Sequence, residues 1–390
     1  KQVFSIPGFE RDPAALDLWH AAGRRGGRPI GMRLEPRPVR ILEHLGVNAF
    51  AIAADGRLAV SGSDYKEVRV WNLADGACLR TMEQEQRPNA VAIARDGSFA
   101  LAAGGFRVWV WDLASGQCLH ILKGHKDAVN AVAISPDGSY ALSGSDDETV
   151  RVWELSTGKC VQTWKGHRER PKRLIITPDG RRVLAGNGIV SVLDLASGKR
   201  LGEWRAELLA ITPDGRQALS TGERGALRVW DLESGKGVEL KGHTDWVRAA
   251  AVAPDGRFAV STSWDDTMRA WDLASGACLY VLEERRGVVA ITPDGRYLFS
   301  SGGGDLRQWI LDWDYEFPEA ADWDEGARPY LECFLALHTA RPQKRSEHTR
   351  PEWTEGDLQQ LLTELRYRGY GWLRPEGVRR KLEEMARQGK

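Results

Sequence analysis

No apolar run in this 390-residue chain approaches the ~18 residues that a membrane-spanning helix needs, and no secretory apolar core opens it. The chain is therefore expected to be soluble and cytoplasmic, with no membrane partner. Lys plus Arg and Asp plus Glu both total 54, so no net charge draws it to nucleic acid. Cysteine is scarce. Four of the five (Cys78, Cys118, Cys160 and Cys278) recur at equivalent points of a long-period pattern, too far apart in space for the ~7 Å limit of a disulfide. They also lack the paired spacing of zinc ligands. They read as small apolar residues in a reducing compartment, with Cys333 alone in the tail. No histidine pair has metal-helix spacing, and no glycine-rich loop has phosphate-binding form, so no metal and no cofactor are expected. Lys1 stands where Met would, which points to a processed chain or a piece of a longer one.

What is present is repetition. Residues 124 to 164 read GHKDAVNAVAISPDGSYALSGSDDETVRVWELSTGKCVQTW, and degraded copies run from about residue 44 to residue 310. Val129 to Ile134, Tyr140 to Ser143, Thr149 to Trp153 and Cys160 to Trp164 are four strand-like runs. Asp137-Gly138 and Thr157-Gly158 supply tight turns between them, because Gly accepts the positive φ such a turn demands. Asp-Gly recurs at 55, 96, 137, 179, 214, 255 and 294, with spacings of 41, 41, 42, 35, 41 and 39 residues. A second mark, Trp71, Trp111, Trp153, Leu193, Trp230, Trp271 and Trp309, gives the same count of seven. Four strands in roughly 40–45 residues make one propeller blade.

The 124–164 unit resembles the WD-repeat β-propeller family through Gly124-His125, Asp137-Gly138, Ser143-Gly144-Ser145, Asp147-Glu148-Thr149 and Trp153-Glu154. Glu154 departs from the family's Trp-Asp ending. The resemblance implies an all-β, seven-bladed propeller and, by analogy, partner binding. The expected organisation is an N-terminal segment over 1–38, a propeller over 39–317 and a helical extension over 318–390. In the first segment, Asp12-Pro13 followed by Ala14 to Ala22 reads as a capped helix, and Arg24, Arg25 and Arg28 as a basic loop. Val39 to Leu42 matches the outer strand before each later repeat, so it is expected to complete blade 7 and close the ring. In the tail, Pro329 to His338, a run opened by Thr354 and Asp357, and a run opened by Pro375 have helical spacing. Their apolar residues are few for an independent core, so the helices are expected to dock on the propeller's flank. The tail is similar to the C-terminal segment of some bacterial WD-repeat signalling proteins, which implies a larger multidomain chain or complex.

His125, Ser143 and Asp147 are the residue types of a hydrolytic triad. With Trp153 they also resemble the family's structural hydrogen-bond tetrad, and His243, Ser261, Asp265 and Trp271 repeat the set 118 residues later. One catalytic site does not need two copies with a Trp at the same offset, so both sets are expected to be structural.

Each blade is a control for its siblings. Blades 1 to 3 open their inner strands with Asn48-Ala49, Asn89-Ala90 and Asn130-Ala131, whereas blade 4 has Lys172-Arg173, preceded by Arg168 and Arg170. Blade 6 has Arg248, with Trp246 where blade 3 has Ala128 and Trp264 where it has Asp146. The connection into blade 5 is about five residues short, so the face should be lower between these two walls. The expected function is a non-catalytic recognition platform, the sensor or scaffold arm of a bacterial signalling assembly. Its expected partner is a protein or peptide, acidic and carrying a hydrophobic anchor, bound by Arg168, Arg170, Lys172, Arg173, Trp246, Arg248 and Trp264. A propeller enzyme acting on a small anionic ligand is the alternative.

Overall fold

A computed structural model describes residues 28–34, 37–165, 170–222, 226–284, 287–301, 305–316, 319–339 and 353–388. The expected helix at 12–22, Arg24 and Arg25 lie outside these residues, as does Arg168.

The described strands form seven antiparallel sheets. Blade 3 shows the plan: Val129–Ile134 innermost, then Tyr140–Ser145, Val150–Glu154 and, outermost, Lys159–Trp164. Its second strand is almost wholly buried, because both its faces pack against neighbouring blades. The outer strand alternates between exposed and partly or fully buried positions, as a sheet edge in solvent does. In every Asp-Gly turn the carboxylate accepts from the backbone N–H two residues on, and in blades 3, 4, 5 and 7 it also accepts from a Ser or Thr hydroxyl. In blade 4 the Asp179 carboxylate accepts from the Arg181 backbone N–H at 3.0 Å and the Thr177 hydroxyl at 2.6 Å, while Gly180 takes φ +67°.

The ring closes as the sequence implies. Arg40–Leu42 pairs with residues 306–308 of the Leu306–Glu316 strand, so the N-terminal strand completes blade 7. That third strand of blade 7 then runs on, and its second half pairs with Arg28–Leu34 from Arg28↔Glu316 to Leu34↔Leu311. Arg28, expected in a basic loop, instead opens this strand, which no repeat mark in 28–34 announces. This two-stranded ribbon buries Met32, Leu311 and Trp313 in the seam between blades 6 and 7, where Trp313 packs on Phe258 at 5.5 Å. The junction of the two chain ends is thus doubly paired.

Three helices follow: α1 (Arg328–Leu337), α2 (Glu355–Leu365) and α3 (Pro375–Gln388). Thr354 and Asp357 form a reciprocal capping box that starts α2. Two expectations about this unit are corrected. It has a core of its own, in which Tyr330, Leu331, Phe334, Leu358, Leu361, Leu365, Val378 and Leu382 are buried together with no propeller residue in the cluster. The helical spacing was legible, but the inward direction of all three apolar faces was not. The unit also sits on the Asp-Gly-turn face rather than the flank. Leu337 approaches Gly180, Tyr330 approaches Gly256, Arg95 pairs with Glu364, and Arg216 lies 3.9 Å from Glu332. None of the described helices is long and apolar enough to cross a membrane.

Candidate functional site

The two tetrads are assembled as networks, and their geometry is unsuited to nucleophilic attack. In blade 3 the Trp153 indole N–H donates to Ser143 Oγ at 2.7 Å, the Ser143 hydroxyl meets His125 Nε2 at 2.7 Å, and His125 Nδ1 meets Asp147 Oδ2 at 2.9 Å. Blade 6 repeats this with Trp271 to Ser261 at 2.8 Å, Ser261 to His243 at 2.8 Å and His243 to Asp265 at 2.8 Å. Ser143 and Ser261 are buried with their oxygens engaged by two partners each, which leaves no open approach for a substrate carbonyl. Burial lowers the pKa of both histidines, and the neighbouring aspartate only partly offsets it. Burial works against ionisation of Asp147 too, but hydrogen bonds from Thr149, the Lys126 backbone and His125 together hold it at about 2. A neutral imidazole beside an ionised carboxylate is a satisfied buried pair that stiffens the blade.

Sequence reasoning missed a third, altered copy. In blade 1, His44 and Trp71 meet on Ser61 at 2.6 and 2.7 Å. Tyr65 occupies the aspartate's place, so His44 Nε2 has no hydrogen-bond partner among the described residues and lies 3.7 Å from Glu67. Burial, then the charge of Arg69, lowers the His44 pKa to about 4. The signal was present as Glu-His at 43–44, but the missing glycine and aspartate hid it.

The opposite face carries the blade-to-blade differences. The connection into blade 5 is short: the outer strand of blade 4 ends at Arg205 and the inner strand of blade 5 starts at Glu207, leaving Ala206 between them. Arg173 and Arg248 come together at the mouth of the central channel, where an Arg173 Nη2–H donates to the Arg248 carbonyl at 3.3 Å. Burial and then the like charge of Arg248 lower the Arg173 pKa, with Glu207 opposing them. Glu207 is thus the one carboxylate that offsets the charge of Arg173, while Arg248 itself is exposed. Arg170 and Lys172 are exposed beside them. On blade 6 the backbones of Trp246 and Trp264 are joined by a 2.9 Å hydrogen bond, and the side chains are 60% and 48% exposed. Blade 1 exposes Leu45 and Tyr65, which no motif in the sequence marks. The five cysteines are free, and Cys78 and Cys118 are exposed rather than packed as small apolar residues.

The WD domain, G-beta repeat family matches three segments, residues 36–72, 116–154 and 236–272. These fall on blades 1, 3 and 6, the blades that carry His44, His125 and His243. The chain is similar to pre-mRNA-splicing factor cwf17 of Schizosaccharomyces pombe, at 38% identity over 96 residues, covering 23% of this chain and 28% of that protein. It is also similar to mitochondrial division protein 1 of Saccharomyces cerevisiae, at 36% identity over 103 residues, covering 20% of this chain and 14% of that one. The likeness thus spans under a third of either relative. Three repeat matches set in a ring of seven four-stranded blades support a WD-repeat β-propeller family for this chain.

Proposed function

We propose that the chain is a non-catalytic, cytoplasmic recognition platform whose loop face over blades 4 to 6 binds an acidic peptide carrying a hydrophobic anchor. The observation that carries this reading is the pair of exposed indoles, Trp246 and Trp264, on the blade whose Arg248 meets Arg173 at the channel mouth. Exposed Trp offers apolar area with a polar edge, and Arg pairs bidentately with carboxylates. Sibling blades fold with Ala128 and Asp146 in the two Trp positions, so folding does not demand them. The role proposed in the cell is that of a scaffold or sensor arm within a larger bacterial signalling assembly.

The test is capture of the partner from the native cell, followed by affinity measurement with Trp264→Ala and Arg173→Ala. Each should cost more than about 1 kcal/mol of binding, as central interface positions do, while melting moves little. A partner that binds both variants unchanged would refute the reading.

A further inference from the structure

The face under the helices carries a second internal inconsistency among the blades. The second residue after each Asp-Gly turn is Leu58, Phe99, Tyr140, Phe258 or Tyr297 in blades 1, 2, 3, 6 and 7. In blade 4 it is Arg182, and in blade 5 Gln217. The fold accepts an apolar or aromatic residue there in five blades, so arginine is not a requirement of the turn. Arg182 lines a cleft of about 630 Å³ between the turns of blades 4 and 5 and helix α1, together with Arg181, Arg216 and Arg328, the last already paired with Glu325 at 2.6 and 3.1 Å. That volume is typical of small-molecule sites. Arg181 and Arg182 are exposed, and neither side chain has a hydrogen-bond or ion-pair partner among the described residues. Arg216 is only loosely engaged, 3.9 Å from Glu332.

The cleft is not uniformly basic. Asp179, Asp214 and Glu332 also line it. Asp179 and Asp214 each commit Oδ1 to their own turn, at 2.6 Å from the Thr177 hydroxyl and 2.5 Å from the Thr212 hydroxyl. Their second oxygens remain able to accept. A bare polyanion would be repelled by three carboxylates, and a neutral sugar would leave the guanidiniums unused. A ligand carrying one phosphate and several hydroxyls satisfies both sets, with the phosphate on the arginines and the hydroxyls donating to the carboxylates. We propose that this cleft binds a small phosphorylated, hydroxyl-bearing molecule of the sugar-phosphate class, on the face opposite the peptide site.

The test is calorimetric titration of the full chain at low salt with ribose 5-phosphate, glucose 6-phosphate, inorganic phosphate and ribose. At least one sugar phosphate should bind ten or more times more tightly than phosphate or ribose alone. Arg182→Tyr, which restores the residue found in blades 3 and 7, should weaken that binding at least tenfold with melting unchanged. Arg173→Ala, on the other face, should leave it unaltered. Three results would each overturn the proposal: no binding of either sugar phosphate at millimolar concentration, phosphate binding as tightly as both, or tight binding that survives Arg182→Tyr.

Discussion

Adding one oxygen atom to blade 2 should stabilise the whole ring. In blades 1, 3, 5, 6 and 7 the third-strand Trp donates its indole N–H to a second-strand serine, at 2.7, 2.7, 2.7, 2.8 and 2.9 Å. Blade 4 lacks both members, with Leu193 and Ala185 in their places, so neither position brings a donor that needs a partner. Blade 2 keeps the Trp and loses the serine. Trp111 is buried, its Nε1 has no partner among the described residues, and the serine's position is filled by the fully buried Ala102. A buried N–H without an acceptor costs about 1–3 kcal/mol, while a completed hydrogen bond nets about 0.5–1.5 kcal/mol. Ala102→Ser should therefore gain about 1 kcal/mol, since five sibling blades hold a serine there without strain.

The assay is urea unfolding of both proteins, with the midpoint compared at unchanged slope. Ser143→Ala is the counterpart. It removes the acceptor of Trp153 and the partner of His125 together, and should cost more than Ala102→Ser gains. If Ala102→Ser leaves the midpoint where it was or lowers it, the unpaired Trp111 N–H is not a stability deficit of blade 2.

His125→Ala and His243→Ala should each cost on the order of 1–3 kcal/mol of stability with partner binding intact; hydrolytic activity that disappears with His125 at constant melting would count against a structural tetrad. His44 and Asp255 should give pH dependences of opposite sign. The folded-state pKa of His44 is lowered to about 4, so the unfolded chain binds the extra proton between pH 4 and 6.5, and stability falls as pH drops through that window. Burial raises Asp255 to about 6 and its Oδ2 has no partner among the described residues, so its contribution is present below the ordinary Asp pKa and lost as pH rises through about 6. Asp255→Asn should accordingly raise the melting temperature at pH 7 but not at pH 4, and an equal shift at both pH values would exclude titration as the cause.

The fold was legible because it is written seven times. Asp-Gly and Trp are independent marks, one set by the backbone of a turn and the other by packing between blades, and both count to seven. Closure was legible for the same reason, since Arg40–Leu42 repeats a pattern that the blades after it define. The Arg28–Leu34 strand was not, because it pairs with a continuation of blade 7 that has no sibling to compare with. Nor was the seat of the helices. Spacing shows that a helix has an apolar face, but α1, α2 and α3 turn those faces on one another, and their contacts with the propeller include Arg95 with Glu364, Arg216 with Glu332, and Tyr330 and Leu337 on the turns.

The same logic sets what the sequence could say about sites. A repeat protein exposes function where one copy breaks a rule the others keep, but a broken rule has two causes. Leu193 replaces Trp and Ala185 replaces its serine together, so that break is compensated within the blade. Tyr65 and Ala102 are breaks without compensation, and each leaves a buried nitrogen unpaired, on His44 and on Trp111. Trp246, Trp264 and Arg182 belong to a third kind: the side chain the fold did not ask for is exposed, and it stands beside others like it. Sequence alone shows that a position deviates. Whether the deviation is absorbed, costs stability or faces solvent is settled by burial and partners, which a linear pattern does not contain.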